Sequence, residues 1–235
     1  IEDHSFDAEK DGYFEAFTRE WAPIEDMRLS DKDANESKTM NTHLHVLEAY
    51  TCLYRVWKNE LLEERLRGLI SIFEDKILGT DGHLKLFFDD DWNCNYDIFS
   101  YGHDIEASWL IHEAALVLGD PEVLERIEKI VPHIAEAASE GFTPEGGMIY
   151  ERVGEEIDRD RHWWVQAESV VGYFNLWDHF GSRKDLENAL MCWDFIKASI
   201  IDKENGEWFW SLRADGSINR DDDKAGFWKC PYHNG

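Results

Sequence analysis

The chain repeats one supersecondary unit three times, and this repeat limits the folds open to it. Each unit consists of a helix, a second helix, a glycine turn and a short strand. The first helices begin near residues 41, 103 and 163, about 60 residues apart. Repeated helix pairs bury their apolar faces on one another. We therefore expect an all-α toroid with one helix of each pair inside, in which the loops that enter the inner helices cluster at one end.

Apolar residues at helical spacing place six helices in this repeat. They are predicted over residues 40–57, 61–78, 103–118, 121–138, 163–179 and 183–201. Short strands are predicted at 84–88, 145–150 and 205–210, and the polar stretch 22–38 indicates a loop. Three and a half helix pairs do not close a ring. We therefore expect a portion of a longer protein, with residues 1–235 forming part of a single catalytic barrel domain.

The composition excludes several classes of partner. The 235 residues are 43% hydrophobic, enough for one core, and the net charge of −26 argues against nucleic acid and anionic membranes as partners. No run of 18 apolar residues predicts a membrane span. The four cysteines form no CxxC pair, which favours reduced thiols and a cytoplasmic location. Because the chain begins at Ile1 rather than Met, the possibility of a removed targeting segment stays open.

Unusual polar residues stand where each inner helix begins. His103, Glu106 and Trp109 share one face of the second inner helix and offer an imidazole, a carboxylate and an indole in succession. Taken singly, such residues are as often helix caps or solvated groups as a site. The first inner helix opens with Asn41 and His45 one turn apart, and the third opens around residues 161–168. A fourth would open near 228–233. Such clusters, brought together at one mouth of a ring, predict a binding site.

Tryptophan supports a sugar-binding interpretation of this mouth. The chain contains 11 Trp residues, an unusually large number. An indole combines a large apolar body with one hydrogen-bond donor, which suits the walls of pockets that hold flat-faced ligands such as sugars. Most of the 11 are nevertheless expected to fill the helical core.

Four motifs together resemble the cellobiose 2-epimerase branch of the N-acylglucosamine 2-epimerase superfamily. They cover residues 40–49, 100–106, 161–168 and 228–235. The resemblance implies an (α/α)6 barrel, of which this chain is expected to be about the C-terminal two thirds, with short β-hairpins between helix pairs. It also implies a disaccharide substrate and an activity without a metal or organic cofactor. It gives no oligomeric state, so monomer and dimer both stay open.

The resemblance also implies roles for individual residues. His103 and His233 match the two histidines with general acid and base roles, and His45 matches a third histidine of the site. Glu106 matches the carboxylate that supports the histidine pair. The residues that match substrate contacts are Asn41, Trp163, Trp164, Glu168 and Trp228, and Trp109 is added from its position on the face of Glu106. The family's early helices, with an essential Arg and Tyr, and the helix after the last histidine are absent. We therefore expect this portion alone to be inactive.

The implied reaction inverts C2 of the reducing-end glucose in β-1,4-linked disaccharides. Removal of the C2 proton from the open-chain aldose gives an enediolate, which needs a base and a donor that stabilises the oxygen. Two histidines on opposite sides of the carbon, or one base acting after a bond rotation, would return the proton to the other face.

Five alternatives stay open at this stage. An aldose–ketose isomerase or an N-acylglucosamine 2-epimerase would share the fold. A glycoside hydrolase would use Glu106 and Glu168 as its two carboxylates. A metal site would draw on His43, His45, His103 and Glu106, although the first two point to different faces of a helix. A non-catalytic carbohydrate-binding module would keep the Trp residues without needing paired histidines.

Overall fold

The structure, a computed structural model, describes residues 1–235 and contains six α-helices and seven short strands. The helices are α1 (Met40–Val56), α2 (Glu60–Ile72), α3 (Tyr101–Leu118), α4 (Pro121–Ala138), α5 (Trp163–Phe180) and α6 (Arg183–Phe195). The strands are β1 (Lys38–Thr39), β2 (Phe87–Phe88), β3 (Ile98–Ser100), β4 (Glu151–Val153), β5 (Glu156–Asp158), β6 (Arg161–His162) and β7 (Ser211–Leu212). No helix is long and apolar enough to cross a membrane.

The helices begin and end where the local chemistry allows. The Thr39 hydroxyl accepts a hydrogen bond from the Thr42 amide at 3.1 Å, and Asn59 caps α2 in the same way. Helix α5 ends at Gly181, which adopts a φ of 68° that favours glycine. Ser182 then caps α6. Helices α2 and α6 end before the predicted residues 78 and 201, because they pass into π-helical turns at Phe73–Ile77 and Ile196–Ile200.

The strands differ more from the prediction than the helices do. Of the stretch 84–88, only Phe87 and Phe88 form a strand, paired antiparallel with β1. At 145–150 and 205–210 the structure has only the isolated bridges of Met148 with Phe142 and Trp208 with Ile201. The three-stranded sheet β3–β4–β5 was not predicted.

The chain forms two compact units. The first comprises residues 1–80, 84–97 and 110–128, and the second comprises 81–83, 98–109 and 129–235. In the first unit the Lys38 ammonium is fully buried and donates to Asp7 at 2.8 Å and to the Asp11 carbonyl at 2.9 Å. In the second, α5 approaches the first turns of α3 closely, because a Cβ on Gly172 would lie 2.6 Å from Ile105.

Candidate active site

The second unit brings the rings of His103 and His233 close to one residue, Trp164. The His103 ring lies 4.7 Å from the Trp164 indole and the His233 ring lies 5.7 Å from it, measured between centroids. Strand β3 leads directly into α3, and this places Ser100 Oγ 2.8 Å from His103 Nδ1. Two imidazoles from distant parts of the sequence therefore share one indole as a common wall.

Glu168 is the residue that holds this arrangement together. One carboxylate oxygen lies 2.7 Å from His233 Nδ1, and the other accepts a hydrogen bond from Trp109 Nε1 at 2.8 Å. The carboxylate is buried, so these bonds form away from competing water. The resemblance implies that Glu168 contacts the sugar, and in the structure its carboxylate contacts His233 and Trp109.

Glu106 lies beside this pair. It is buried, and a carboxylate oxygen of Glu106, one of Glu168 and a ring nitrogen of His233 all lie within 4.8 Å of one another. Two carboxylates and an imidazole can hold a divalent metal. Glu168, however, uses its two oxygens for Trp109 and for the Nδ1 of His233. In the structure these atoms form a hydrogen-bonded network that orients the His233 imidazole.

A glycine lets the indole approach the start of α3. A Cβ on Gly102 would lie 2.6 Å from ring atoms of Trp164 and 2.8 Å from a methyl group of Val165. Real Cβ atoms do not approach that closely, so any larger residue here would displace the indole. The sequence motif contains Gly102, but its spacing gave no sign of this contact.

Trp163, another aromatic residue of the prediction, lies beside the same centre. Trp163 is buried, its ring centroid lies 4.4 Å from that of Trp210, and it presents an edge to His233 at 6.1 Å. Trp228 is half exposed and contacts Phe227. Such rings can cover the apolar faces of a sugar.

Sequence reasoning missed two further aromatic groups. Tyr150 stacks on His162 with 4.1 Å between ring centroids and meets Trp164 edge-on at 6.2 Å. Tyr150 ends the predicted strand 145–150 and His162 lies in the third motif, 161–168, but no spacing in the sequence indicated that the two rings stack.

Asn41 and His45 lie on α1 in the first unit and are both half-buried. They are one turn apart, as predicted, and His45 Nδ1 lies 3.2 Å from Glu48.

His43, between them, is a structural residue. Its Nδ1 lies 2.6 Å from the Thr39 carbonyl and its Nε2 accepts from the Tyr13 amide at 2.9 Å, while burial lowers its pKa to about 4. Neither nitrogen is left for a metal, which removes His43 from the alternative metal site.

Comparison with known proteins identifies the family. The chain is 65% identical to the cellobiose 2-epimerase of Bacteroides fragilis, over 100% of this chain and 61% of that protein. It superimposes with a TM-score of 0.94 and 40% identity on a solved sugar epimerase from a ruminal bacterium, and with 0.92 and 41% on the cellobiose 2-epimerase of Bacillus thermoamylovorans. It covers 100% of its own length and 60% of theirs in both cases.

These likenesses confirm the fold class, an (α/α)6 barrel, and the chain spans about 60% of the length of the relatives it matches. The model of the N-acylglucosamine 2-epimerase (GlcNAc 2-epimerase) family matches residues 8–234. With almost every residue inside that match, and with its histidines grouped on one indole, the chain belongs to the N-acylglucosamine 2-epimerase family.

Proposed function

We propose that the full-length protein containing this chain epimerises C2 of the reducing-end glucose in β-1,4-linked disaccharides, converting cellobiose to glucosyl-mannose and lactose to epilactose. The observation that carries the proposal is that His103 and His233 lie close to the same indole, with ring centroids 4.7 and 5.7 Å from that of Trp164. Similarity to relatives such as the cellobiose 2-epimerase of Bacteroides fragilis supports the substrate class.

The chemistry follows from the acidity of the proton on C2. In the open-chain sugar this carbon lies next to the aldehyde, so loss of its proton gives an enediolate. An imidazole can accept and return a proton near neutral pH. One histidine removes the proton and the other returns it to the opposite face, or a single base does both after rotation of the C2 centre.

The hydrogen bonds decide which ring nitrogens face the sugar. His233 uses Nδ1 for Glu168, and His103 uses Nδ1 for Ser100. Both rings are oriented through Nδ1, and in the proposed reaction Nε2 of each ring exchanges the proton with the substrate. The Glu168 carboxylate can only accept, so it also fixes the tautomer of His233. A fixed ring plane reduces the entropy lost on reaching the transition state.

The decisive experiment incubates the full-length protein with cellobiose in heavy water. We expect glucosyl-mannose with one deuterium at C2. His103→Ala and His233→Ala should each leave at most a few per cent of the turnover, since loss of a positioned acid or base costs about 10²–10⁴-fold. His179→Ala, on the exposed end of α5, is the matched control and should leave turnover unchanged. Full turnover in either active-site variant would remove the assignment.

Product analysis separates the alternatives within the superfamily. An aldose–ketose isomerase would return the proton to C1 and convert mannose to fructose. An N-acylglucosamine 2-epimerase would act on the N-acylated monosaccharide instead.

The hydrolase alternative rests on the closeness of Glu106 and Glu168. Retaining glycosidases place their carboxyl groups about 5–5.5 Å apart. Release of free glucose from cellobiose would support this alternative over the epimerase. We propose a reaction without metal, so treatment with EDTA should leave the epimerase rate unchanged.

A further inference from the structure

We propose that a cavity lined by residues outside the candidate active site, the Arg161 cavity, binds a small polyhydroxylated anion such as a sugar acid or a sugar monophosphate. The cavity has a volume of about 570 Å³ and lies in the second unit, between the end of α6 and the turn that follows β7. Pockets for small molecules have volumes of about 300–1,000 Å³. None of the predicted active-site residues lines it, so this proposal is independent of the epimerase reaction.

The guanidinium of Arg161 is the group that points to a ligand. Arg161 is 9% exposed and lines the cavity from strand β6. Its Nη1 donates to the Arg159 and Ala214 carbonyls, each at 3.1 Å, whereas its Nε is buried without any hydrogen-bond partner. A buried donor left unpaired costs free energy, and a charged one costs more. The Nε side of the guanidinium therefore lacks the partner that its Nη1 side has.

The shape of the Nε side of the Arg161 guanidinium determines which anionic group of a ligand it can bind. Nε and Nη2 form a planar fork that matches two oxygens of a carboxylate or a phosphate. The neighbouring Asp160 directs Oδ1 to the Ala214 amide at 3.0 Å, and no hydrogen bond joins its carboxylate to Arg161 Nε. Gly216, with a φ of +86°, leaves room beside the fork, since a Cβ built on it would lie 3.9 Å from Nη2.

The rim of the cavity selects the rest of the ligand. Glu145, Asp194 and Asp215 are exposed carboxylates around it, and together they would repel a bare polyanion. Carboxylates accept hydrogen bonds from hydroxyl groups. A ligand with one anionic group and several hydroxyls satisfies both the fork and the rim.

Two more features fit such a ligand. Thr143 and Ser199 add hydroxyls to the lining of the cavity. The buried Phe195 and Leu212 give it an apolar wall for a carbon skeleton.

The test observes Arg161 directly in the full-length protein labelled with ¹⁵N-arginine. The Nε–Hε resonance of Arg161 is assigned by its loss in Arg161→Lys. D-Gluconate, D-glucose 6-phosphate, inorganic phosphate and uncharged glucose are then titrated at constant ionic strength. We expect a saturable shift with gluconate or glucose 6-phosphate, a weaker one with inorganic phosphate, and none with glucose. The two organic anions distinguish a carboxylate site from a phosphate site.

Two variants separate binding from folding. Arg161→Lys keeps a positive charge but loses the fork, and it should weaken binding by at least about tenfold. Ala198→Trp fills the cavity from an exposed position and leaves Arg161 in place, so it should abolish the shift while the protein stays folded. Glu187→Trp, exposed on α6 and outside the cavity, is its control and should bind normally. No shift at about 20 mM ligand, a level that saturates even millimolar sites, would overturn the proposal. Equal shifts of all arginine resonances would overturn it too.

Discussion

One glycine sets the position of the indole that both histidines contact. In Gly102→Ala the new Cβ would lie 2.6 Å from the Trp164 ring, so the indole must move. Its contacts with His103 and His233 then change as well. A displacement of about 1 Å in a catalytic site can cost about 100-fold. We expect kcat for cellobiose epimerisation to fall at least about tenfold while the protein stays folded. Steady-state kinetics together with circular dichroism tests this.

Gly68→Ala is the matched control for that substitution. Gly68 lies inside α2, and a Cβ there meets nothing within 4 Å. Alanine favours a helix interior by about 1 kcal/mol over glycine, so this variant should be more stable and equally active. An unchanged kcat in Gly102→Ala would show that the indole position does not matter to the reaction.

The charge of Glu168 can be separated from its geometry. Glu168→Gln keeps a side chain of the same shape that can still accept from Trp109, but it removes the negative charge beside His233. An imidazolium formed during the reaction then loses its stabilising partner, and we expect kcat to fall about 100-fold.

A matched control separates the role of this charge from a general loss of a carboxylate. Glu187→Gln on the exposed face of α6 should leave kcat unchanged. A Glu168→Gln enzyme with the parent kcat would show that the carboxylate only supports packing.

At this scale the residue types of the site could be predicted, but their partners could not. His103 and Glu106 share a helix face because they are three residues apart, and that can be read from spacing. Glu168 and His233 are separated by 65 residues, and their 2.7 Å contact depends on how β6, α5 and the last segment pack. No periodicity in the chain links these two positions.

Among the elements, helices were predictable and strands were not, for a physical reason. The apolar spacing gave the bounds of α4 as the structure has them, residues 121–138. The resemblance implied short β-hairpins between helix pairs, and β4 and β5 form one of them. Its residues could not be located from the sequence, because the strands are short, charged and poor in apolar alternation. Its one signal is Gly154, with a φ of 58°, in the two-residue turn between Val153 and Glu156.

The junction of α5 and α6 depends on two adjacent residues. Gly181 ends α5, and the Ser182 hydroxyl accepts from the Asp185 amide at 3.4 Å to begin α6. Ser182→Ala removes the acceptor and should lower the free energy of unfolding by about 1 kcal/mol. Ser182→Asp keeps an acceptor and should retain the parent stability. Urea unfolding of the three proteins measures the difference, and equal midpoints for all three would show that the cap contributes nothing.

For the whole molecule, the net charge of −26 makes stability depend on pH and salt. Most ion pairs lie at the exposed surface and are worth little each, such as Lys184 with Glu136. Buried groups are different, because their protonation is tied to folding. Lys38 with Asp7 in the first unit and His83 with Asp104 in the second are both buried pairs. Each unit therefore contains its own buried group whose charge state responds to folding.

Two of the buried histidines, His43 and His83, should respond to pH in opposite directions. Burial lowers the pKa of His43 to about 4. Between pH 6.5 and 4 the unfolded chain therefore binds a proton that the native state does not bind. Acidification over this range lowers the free energy of unfolding by up to about 3 kcal/mol. Burial also lowers the pKa of His83, but the hydrogen bond and charge of Asp104 outweigh it and leave the pKa raised. The contribution of the charged His83 to the free energy of unfolding is complete below pH 6.5 and is lost as the pH rises through its raised pKa. In urea unfolding at several pH values, the stability lost in His43→Gln should therefore shrink as the pH falls. The loss in His83→Gln should shrink as the pH rises, and parallel curves for wild type and both variants would contradict this linkage.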